Sequence, residues 1–144
     1  MIRQMTQNDI PSVVQLENVC FLDAWSECLI AESFHGSLDH WYLEEEAGRL
    51  CGYCVLRVIA GEGEIQRIAV RPDCRKRGIG RKLMEQMGRT AREQGVGEIT
   101  LEVRCSNQAA ICLYESWGFR KEGIRKDYYH NPTEDGIIMW NHHV

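Results

Sequence analysis

The sequence has no long uninterrupted hydrophobic run, no export signal and no excess of positive charge. Its longest apolar stretches are broken by charged residues, as at Arg57, so no segment is suited to cross a membrane. The first ten residues, MIRQMTQNDI, contain neither an apolar core nor a cleavage signature, which argues against secretion. A net charge of −4 argues against general nucleic-acid binding, which needs a basic face. We therefore expect a cytoplasmic protein that binds neither nucleic acid nor membrane.

The cysteines give no sign of a disulfide framework or a metal site. There are seven, an odd number, and without an export signal they are expected to remain reduced thiols. Cys51 and Cys54 have C-x-x-C spacing, but they lie in RLCGYCVLRVI, which predicts a strand rather than the helix start that redox motifs need. Residues three apart in a strand have Cα atoms about 10 Å apart and side chains on opposite faces. A disulfide needs Cα atoms within about 7 Å, so we predict neither a redox role nor a metal site.

The length and composition predict one globular domain spanning residues 1–144. The sequence contains no internal repeat, low-complexity segment or long linker. A chain of 144 residues buries enough surface to fold without disulfides or metals. Hydrophobic residues make up 44% of the chain and charged residues 26%, a balance that is typical of globular proteins.

Helix and strand signals alternate along the chain in a pattern that predicts an α/β fold. Four helices are predicted. The first begins after Thr6 or Asn8, and the second is ECLIAESF, capped by Ser26. The third extends from Ile79 to about Gln94, and the fourth is QAAICLYESW, capped by Ser106 or Asn107. The predicted strands are a hairpin in WYLEEEAGRLCGYCVLRVI with its turn near Ala47-Gly48, and the segments GEGEIQRIAV, EITLEV, FRKEGIRKDYY and GIIMWN. The strand–helix–strand unit from Glu64 to Val103 should be a right-handed parallel crossover. This order predicts a mixed sheet with helices on both faces.

Positive charge is concentrated around two glycines between a predicted strand and a predicted helix. The segment VRPDCRKRGIGRKLM places six Lys or Arg residues between Arg71 and Lys82. Unpaired N–H groups and the positive end of the helix dipole favour an anion at such a helix start, and glycines let the main chain approach it. The spacing fits neither a Walker loop nor a dinucleotide motif. The alternative is a solvated helix start, but basic residues oppose the dipole there, so we predict a pyrophosphate site.

Two blocks of the sequence resemble the GNAT N-acetyltransferases. IAVRPDCRKRGIGRKLM resembles their acyl-CoA-binding motif, Arg/Gln-x-x-Gly-x-Gly/Ala, which is met here by Arg75, Gly78 and Gly80. LEVRCSNQAAICLYESWGF, IRKDYY and AWSE resemble the ribosomal-protein-alanine N-acetyltransferase subgroup. The resemblance covers nearly the whole chain. It implies a GNAT fold with a mixed, mostly antiparallel central sheet, acetyl-CoA as the acetyl donor, and the N-terminal alanine of a small-subunit ribosomal protein as the acceptor.

The resemblance also implies which residues bind acetyl-CoA. They would be the strand residues Ile68, Ala69 and Val70, the turn residues Arg75, Lys76, Arg77, Gly78, Ile79, Gly80 and Arg81, and the helix-capping residue Asn107. The strand would offer main-chain groups to the pantetheine arm, and the N–H of Val70 could polarise the thioester carbonyl.

Two catalytic residues follow from the resemblance. Glu102 interrupts an apolar strand at the position of the family's general base, and Tyr114 lies in the next helix, where the family places a tyrosine near the CoA sulfur. From the residues alone, a surface carboxylate is the favoured interpretation of Glu102, and the resemblance reverses it; the alternative for Tyr114 is a core aromatic. Trp25, Ser26, Tyr128 and Tyr129 match the subgroup's peptide-binding region. A strand-edge pair is the alternative for the two tyrosines.

The acceptor is the least determined part of the prediction. A lysine side chain or a small-molecule amine is an alternative to a protein N-terminus, and a non-catalytic acyl-CoA-binding module is an alternative of another class. Acidic residues could attract a basic N-terminal peptide; they are Glu32, Glu62, Glu64 and the run Glu44-Glu45-Glu46, although a solvated acidic face is the preferred interpretation of the run. Arg67 stands where the subgroup usually has a smaller or polar residue, so it could narrow or recharge the acceptor cleft.

Overall fold

The chain folds into a seven-stranded mixed sheet with α-helices on both faces. A computed structural model describes residues 1–144. The helices are α1 (Ile10–Cys20), α2 (Glu27–His35), α3 (Ile79–Glu93) and α4 (Gln108–Ser116), and the strands are β1 (Ile2–Gln4), β2 (Asp39–Glu46), β3 (Arg49–Ile59), β4 (Glu62–Val70), β5 (Glu98–Arg104), β6 (Arg120–Tyr129) and β7 (Glu134–Asn141). The strand order is β1-β2-β3-β4-β5-β7-β6, and only β4 and β5 are parallel. This confirms the predicted mixed, mostly antiparallel sheet. All four helices are too short or too polar to span a bilayer.

The capping residues predicted from the sequence begin two of the helices. The N–H of Leu29 donates to Ser26 Oγ at 3.1 Å at the start of α2. The N–H of Ala110 donates to Asn107 Oδ1 at 3.2 Å at the start of α4. The third predicted helix is confirmed and ends at Glu93, one residue before the predicted end. Side-chain caps therefore fix where α2 and α4 begin.

The first hairpin is also confirmed, and a short strand was missed. The turn between β2 and β3 lies at Ala47-Gly48, and both residues have positive φ angles, 51° and 76°. β1 is only three residues long, too short for an alternating pattern to be recognised. It extends the sheet by pairing with Tyr42, Leu43 and Glu44.

Each face of the sheet has its own hydrophobic core. On one face α3 and α4 pack with side chains that include Leu83, Met87 and Ile111 against Cys54, Leu56 and Leu101. On the other face α1 and α2 pack with side chains that include Val13, Leu16 and Ile30 against Trp41, Tyr53 and Val55. We call these the α3–α4 face and the α1–α2 face. Their presence confirms the prediction of helices on both faces.

A β-bulge in β3 overturns the prediction that the C-x-x-C cysteines point to opposite faces. Two adjacent residues of β2 pair with Leu50 and Gly52, which leaves Cys51 as an extra residue. The bulge turns Cys51 onto the α3–α4 face, where Cys54 also packs. Both thiols are free.

Gly52, next to the bulge, allows α3 to rest directly on the sheet. A Cβ atom at this position would lie 2.7 Å from the carbonyl oxygen of Ala69 and 3.2 Å from the Cγ2 atom of Ile79. Real Cβ atoms do not approach backbone oxygen so closely. The missing side chain therefore fixes the distance between β3, β4 and the first turn of α3.

We expect Gly52→Ala to destabilise the fold by about 1–3 kcal/mol, because the added methyl group overpacks a contact with backbone. Gly97→Ala is the matched control, since a Cβ there meets nothing within 4 Å. The measurement is the free energy of unfolding from urea titrations of both variants and the wild type. Equal stability of the two variants would contradict the steric role of Gly52.

Candidate functional site

The sheet contains an opening between β4 and β5. These parallel strands pair at four positions, from Glu62 with Glu98 to Ile65 with Leu101, and then separate. The rest of β4, residues 66–70, and the end of β5 face each other without pairing. The two strands thus enclose a cleft that has main-chain groups on its β4 side.

A second bulge lies where the strands part. Val55 pairs with Arg67 and Leu56 pairs with Ile65, so Gln66 is the extra residue in β4. The bulge bends the strand and changes which side chains face which side. As a result Ile65 packs on the α3–α4 face, while Arg67 lies on the opposite face beside α1.

The hydrogen-bond pattern shows which main-chain groups of β4 face the opening. The N–H of Arg71 donates to the carbonyl of Cys51 at 2.7 Å. Hydrogen-bonded and non-hydrogen-bonded pairs alternate in an antiparallel ladder. The N–H and C=O groups of Val70 and Ile68 therefore point away from β3 into the opening. Those of Ala69 point toward β3, so the main chain of Ala69 is turned away from the cleft.

Contacts of the Val70 carbonyl agree with this direction. It accepts a hydrogen bond from Arg75 Nε at 3.2 Å and from Cys20 Sγ at 3.6 Å. The predicted anion-binding turn is thereby tied to the edge of β4. Burial is the main cause of a raised pKa at the Cys20 thiol, so this thiol stays protonated.

The glycine-rich turn ends at a helix start that has free N–H groups. Gly78 precedes α3 with a φ angle of 80°, a left-handed conformation that suits glycine, and no side chain caps the helix. The N–H groups of Ile79, Gly80 and Arg81 have no acceptor within the helix. The Ile79 side chain is buried, so only its main chain can reach a ligand.

Gly80, the second glycine of the motif, is required for the packing of α3 against α4. A Cβ atom at Gly80 would lie 3.1 Å from Leu113 Cδ2 in α4. Its absence lets the starts of α3 and α4 approach each other. Asn107, which caps α4, is exposed.

Several basic side chains of the turn already have acidic or carbonyl partners. Arg77 pairs with Glu46, Lys82 lies 3.6 Å from Glu44, and Arg71 Nε donates to the carbonyl of Leu50 at 2.9 Å. Lys76 and Arg81 are exposed and make no ion pair. These two side chains are therefore the ones most available to an anion.

Glu102 lies just beyond the point at which β5 leaves β4. Its Oε1 atom accepts a hydrogen bond from Arg125 Nε at 2.9 Å, and its Oε2 atom is buried without a hydrogen-bond partner. Partial burial, together with the negative charge of Glu102, raises the pKa of Glu64. The opening thus carries two carboxylates on the α1–α2 face.

Tyr128 and Tyr129 lie beside Glu102 and pack over Gly136, which has no side chain, in β7. Their rings are 5.0 Å apart, and a Cβ atom at Gly136 would lie 3.1 Å from the Tyr128 ring. Interaction with the Glu102 carboxylate is the main cause of the raised pKa of Tyr128. Burial, with Glu102 adding to it, raises the pKa of Tyr129 to about 12. The absence of a side chain at Gly136 lets both rings reach the cleft.

Tyr114 belongs to the α3–α4 face. It is buried in α4, and its ring lies 6.0 Å from that of Phe119. Burial, followed by the nearby Tyr129, raises the pKa of its hydroxyl, so it is protonated at neutral pH. Glu102 and Tyr114 therefore come from opposite faces of the sheet.

A buried carboxylate holds the loop between α1 and α2 against the sheet. Glu17 is fully buried; it accepts hydrogen bonds from Tyr53, from Arg67 Nε at 3.1 Å, and from the N–H of Trp25 at 2.8 Å. The Arg67 guanidinium also lies 3.7 Å from the centre of the Phe21 ring. The main chain of Trp25 is therefore held against the sheet on the α1–α2 face of the cleft. The Ser26 hydroxyl is occupied as the N-cap of α2.

Arg104 organises the loop between β6 and β7. It donates to the carbonyls of Pro132 at 2.9 Å and His130 at 2.8 Å, and it pairs with Glu134 at 3.1 Å. Its guanidinium lies 4.7 Å from the centre of the Tyr129 ring. This arginine fixes the second wall of the cleft.

The sequence analysis missed Glu17, Arg104, Arg125 and Gly136 as contributors to the site. A signal existed only for Glu17, which is the one polar residue in the apolar spacing of α1. The other three depend on contacts between distant strands. No group of three or more His, Cys, Asp or Glu residues is arranged to hold a metal ion.

Comparisons with known proteins agree with this geometry. The pattern of the acetyltransferase (GNAT) family matches residues 10–119. The ribosomal protein bS18-alanine N-acetyltransferase of Salmonella typhimurium is 37% identical over 142 residues, which cover 94% of this chain and 92% of that protein.

Solved structures show the same similarity. The ribosomal-protein-S18-alanine N-acetyltransferase of Escherichia coli superposes with a TM-score of 0.90 and 34% identity, covering 97% of this chain and 91% of that one. Ard1 from Thermoplasma volcanium gives a TM-score of 0.92 at 26% identity, covering 100% and 97%. The chain belongs to the GNAT family of acetyltransferases.

Proposed function

We propose that this acetyltransferase transfers the acetyl group of acetyl-CoA to the N-terminal alanine of a ribosomal protein. The observation that supports the proposal is that Glu102 lies where β4 and β5 part, while Tyr114 lies in α4 on the opposite face of the sheet, near Tyr129. The acceptor is inferred from the relatives, whose names specify an alanine of ribosomal protein bS18. A reducing cytoplasm suits both this acceptor and the seven free cysteines.

Acetyl-CoA binding is supported by two sets of hydrogen-bond donors along the β4 side of the opening, one at the start of α3 and one on the β4 main chain. The free N–H groups at the start of α3, with Lys76 and Arg81, suit the pyrophosphate. The outward-facing groups of Ile68 and Val70 suit the amide groups of the pantetheine arm. In this arrangement the N–H of Val70 or Ile68 is the donor available to polarise the thioester carbonyl.

Acetyl transfer requires a neutral amine. An α-amino group has a pKa near 8, so roughly a tenth is neutral at pH 7. The nitrogen forms a bond to the acetyl carbon while the carbon–sulfur bond breaks. In our proposal Glu102 takes one proton from the bound ammonium group, directly or through a water, which frees the amine to attack. The second proton leaves nitrogen for solvent after the attack, and Tyr114 donates a proton to the CoA sulfur.

Acceptor binding is supported by the shape and charge of the other side of the opening. The α1–α2 loop with Trp25 and the β6–β7 loop with Tyr128 and Tyr129 form two walls, with Glu64 and Glu102 between them. Such a cleft suits a cationic amine on an extended chain. A lysine side chain or a small amine is the alternative acceptor, and peptide acetylation distinguishes it from an α-amine.

We expect Glu102→Gln to lower the rate of acetylation of a basic peptide that begins with alanine by about a hundredfold, because general bases contribute roughly 10²–10⁴-fold. Tyr114→Phe should lower it by about tenfold or more. The measurement is mass spectrometry of the peptide, with the acetyl group mapped to the α-amine. Glu98→Gln is the control, since this residue lies at the far end of the same strand and faces His142.

Wild-type rates in both variants would contradict the two catalytic roles. Acetylation of a lysine peptide in preference to the α-amine would contradict only the acceptor. The two parts of the proposal are thus tested separately.

We expect Lys76→Ala combined with Arg81→Ala to raise the KM for acetyl-CoA by about tenfold, with little change in kcat, because hydrogen bonds from charged groups to phosphate are lost. Arg89→Ala is the matched control, because Arg89 is also exposed on α3 but lies more than two turns from the helix start. Steady-state kinetics at fixed ionic strength give both constants. A KM for acetyl-CoA equal to that of the control would exclude a phosphate contact for this pair.

A further inference from the structure

Glu102, the proposed base, is held by an arginine from two strands away. Arg125 lies in β6 and pairs with Gly136 of β7, and β7 separates it from β5. Its Nε atom nevertheless lies 2.9 Å from Glu102 Oε1. No other side chain forms an ion pair with Glu102.

The contact leaves the carboxylate half satisfied. The Tyr128 hydroxyl interacts with this carboxylate, but Glu102 Oε2 is buried and makes no hydrogen bond. A buried charged oxygen in this state is unfavourable unless a donor is supplied. The oxygen belongs to the first residue of β5 beyond the β4–β5 pairing. A donor that enters the opening can therefore reach it.

The neighbouring arginines cannot provide this donor, because each is engaged elsewhere. Arg57 pairs with Asp39, Arg67 with Glu17, and Arg104 with Glu134. Their partners neutralise them. Glu64 lies opposite Arg57 in the neighbouring strand but forms no ion pair of its own. Glu102 pairs only with Arg125. The centre of the site therefore has one more negative charge than positive charge, and it can accept a cation.

Arg125 is also the arginine best able to leave. Its side chain is 54% exposed, compared with 14% for Arg67 and 20% for Arg104. Its guanidinium rests 5.5 Å from the centre of the half-exposed Tyr128 ring. Exposed ion pairs of this kind are weak and exchange readily with other cations.

We propose that Arg125 is a displaceable counter-ion, which occupies Glu102 before the acceptor binds and is replaced there by the acceptor's α-ammonium group. This inference rests on the proposed function. Glu64 makes the exchange favourable, since it adds attraction for the incoming cation. Arg125 is thus a positioning residue, which keeps the carboxylates paired until an amine arrives.

The kinetic test compares substitutions at Arg125. Arg125→Gln removes the competing cation, so the KM for an alanine-initiated peptide should fall by about two- to fivefold with a small change in kcat. Arg125→Lys should retain the wild-type KM, because it restores the positive charge. Glu64→Gln should raise the KM. Lys121→Gln is the matched control, since it removes the same charge from an exposed position of the same strand and should leave the KM unchanged.

The direct test follows the Arg125 side chain by nuclear magnetic resonance. The Nε–H signal, assigned by its loss in Arg125→Lys, should move to the position of solvent-exposed arginines when the peptide is added with CoA. A KM for Arg125→Gln that is unchanged or raised, or an unchanged Nε–H signal with peptide bound, would overturn the inference.

Failure of the wild type to acetylate this peptide would count against the proposed acceptor alone. The same comparison would then be made with a lysine peptide, for which the displaced cation is the side-chain ammonium group. A fall in KM and a shifted Nε–H signal are expected there too. Their absence with an acceptor that is turned over would overturn the counter-ion role.

Discussion

The separation of β4 from β5 is the constraint on which the site depends. Unpaired main-chain groups inside a protein are costly, so two neighbouring strands normally pair along their whole length. Here each strand is held from its other side. β4 pairs with β3 from Glu62 to Val70, and β5 pairs with β7 from Ile99 to Arg104. Because both strands are fixed in this way, the opening cannot close, and its N–H and C=O groups stay available to a ligand.

The buried Glu17 carries a comparable constraint on the acceptor side. Its carboxylate joins α1, the α1–α2 loop, β3 and β4 through Trp25, Tyr53 and Arg67. Removal of one member of a buried ion pair typically costs 3–5 kcal/mol. Arg67, which was expected to narrow or recharge the acceptor cleft, is instead held by Glu17 behind the cleft. Its charge is neutralised by Glu17, so it adds bulk to the wall more than net charge to the site.

The sequence predicted the features that depend on neighbouring residues. It did not predict the features that depend on how strands distant in the sequence pair with each other. Caps such as Ser26 and Asn107 and the glycine-rich turn act through neighbouring residues, so their pattern is visible in the chain. The bulges at Cys51 and Gln66 depend on register between strands, which no periodicity in β3 or β4 reveals. For the same reason the expected opposite faces of Cys51 and Cys54 were wrong. Glu102 and Tyr114 were assigned by resemblance, since the local pattern by itself favours a surface carboxylate at position 102 and allows a core aromatic at position 114.

The distribution of charge explains how an acidic protein comes to hold a basic turn. Glu46 and Glu44 neutralise Arg77 and Lys82. The positive charge that remains on the turn belongs to a few side chains near the free N–H groups at the start of α3, and it does not extend over a whole face of the protein. This concentration of charge favours the proposed binding of a polyanion at one end of the opening. On the α1–α2 face, the excess of carboxylate at the other end attracts a cation. In the proposed reaction, the two reactants therefore have opposite charges, and each is drawn to a different end of the opening between β4 and β5.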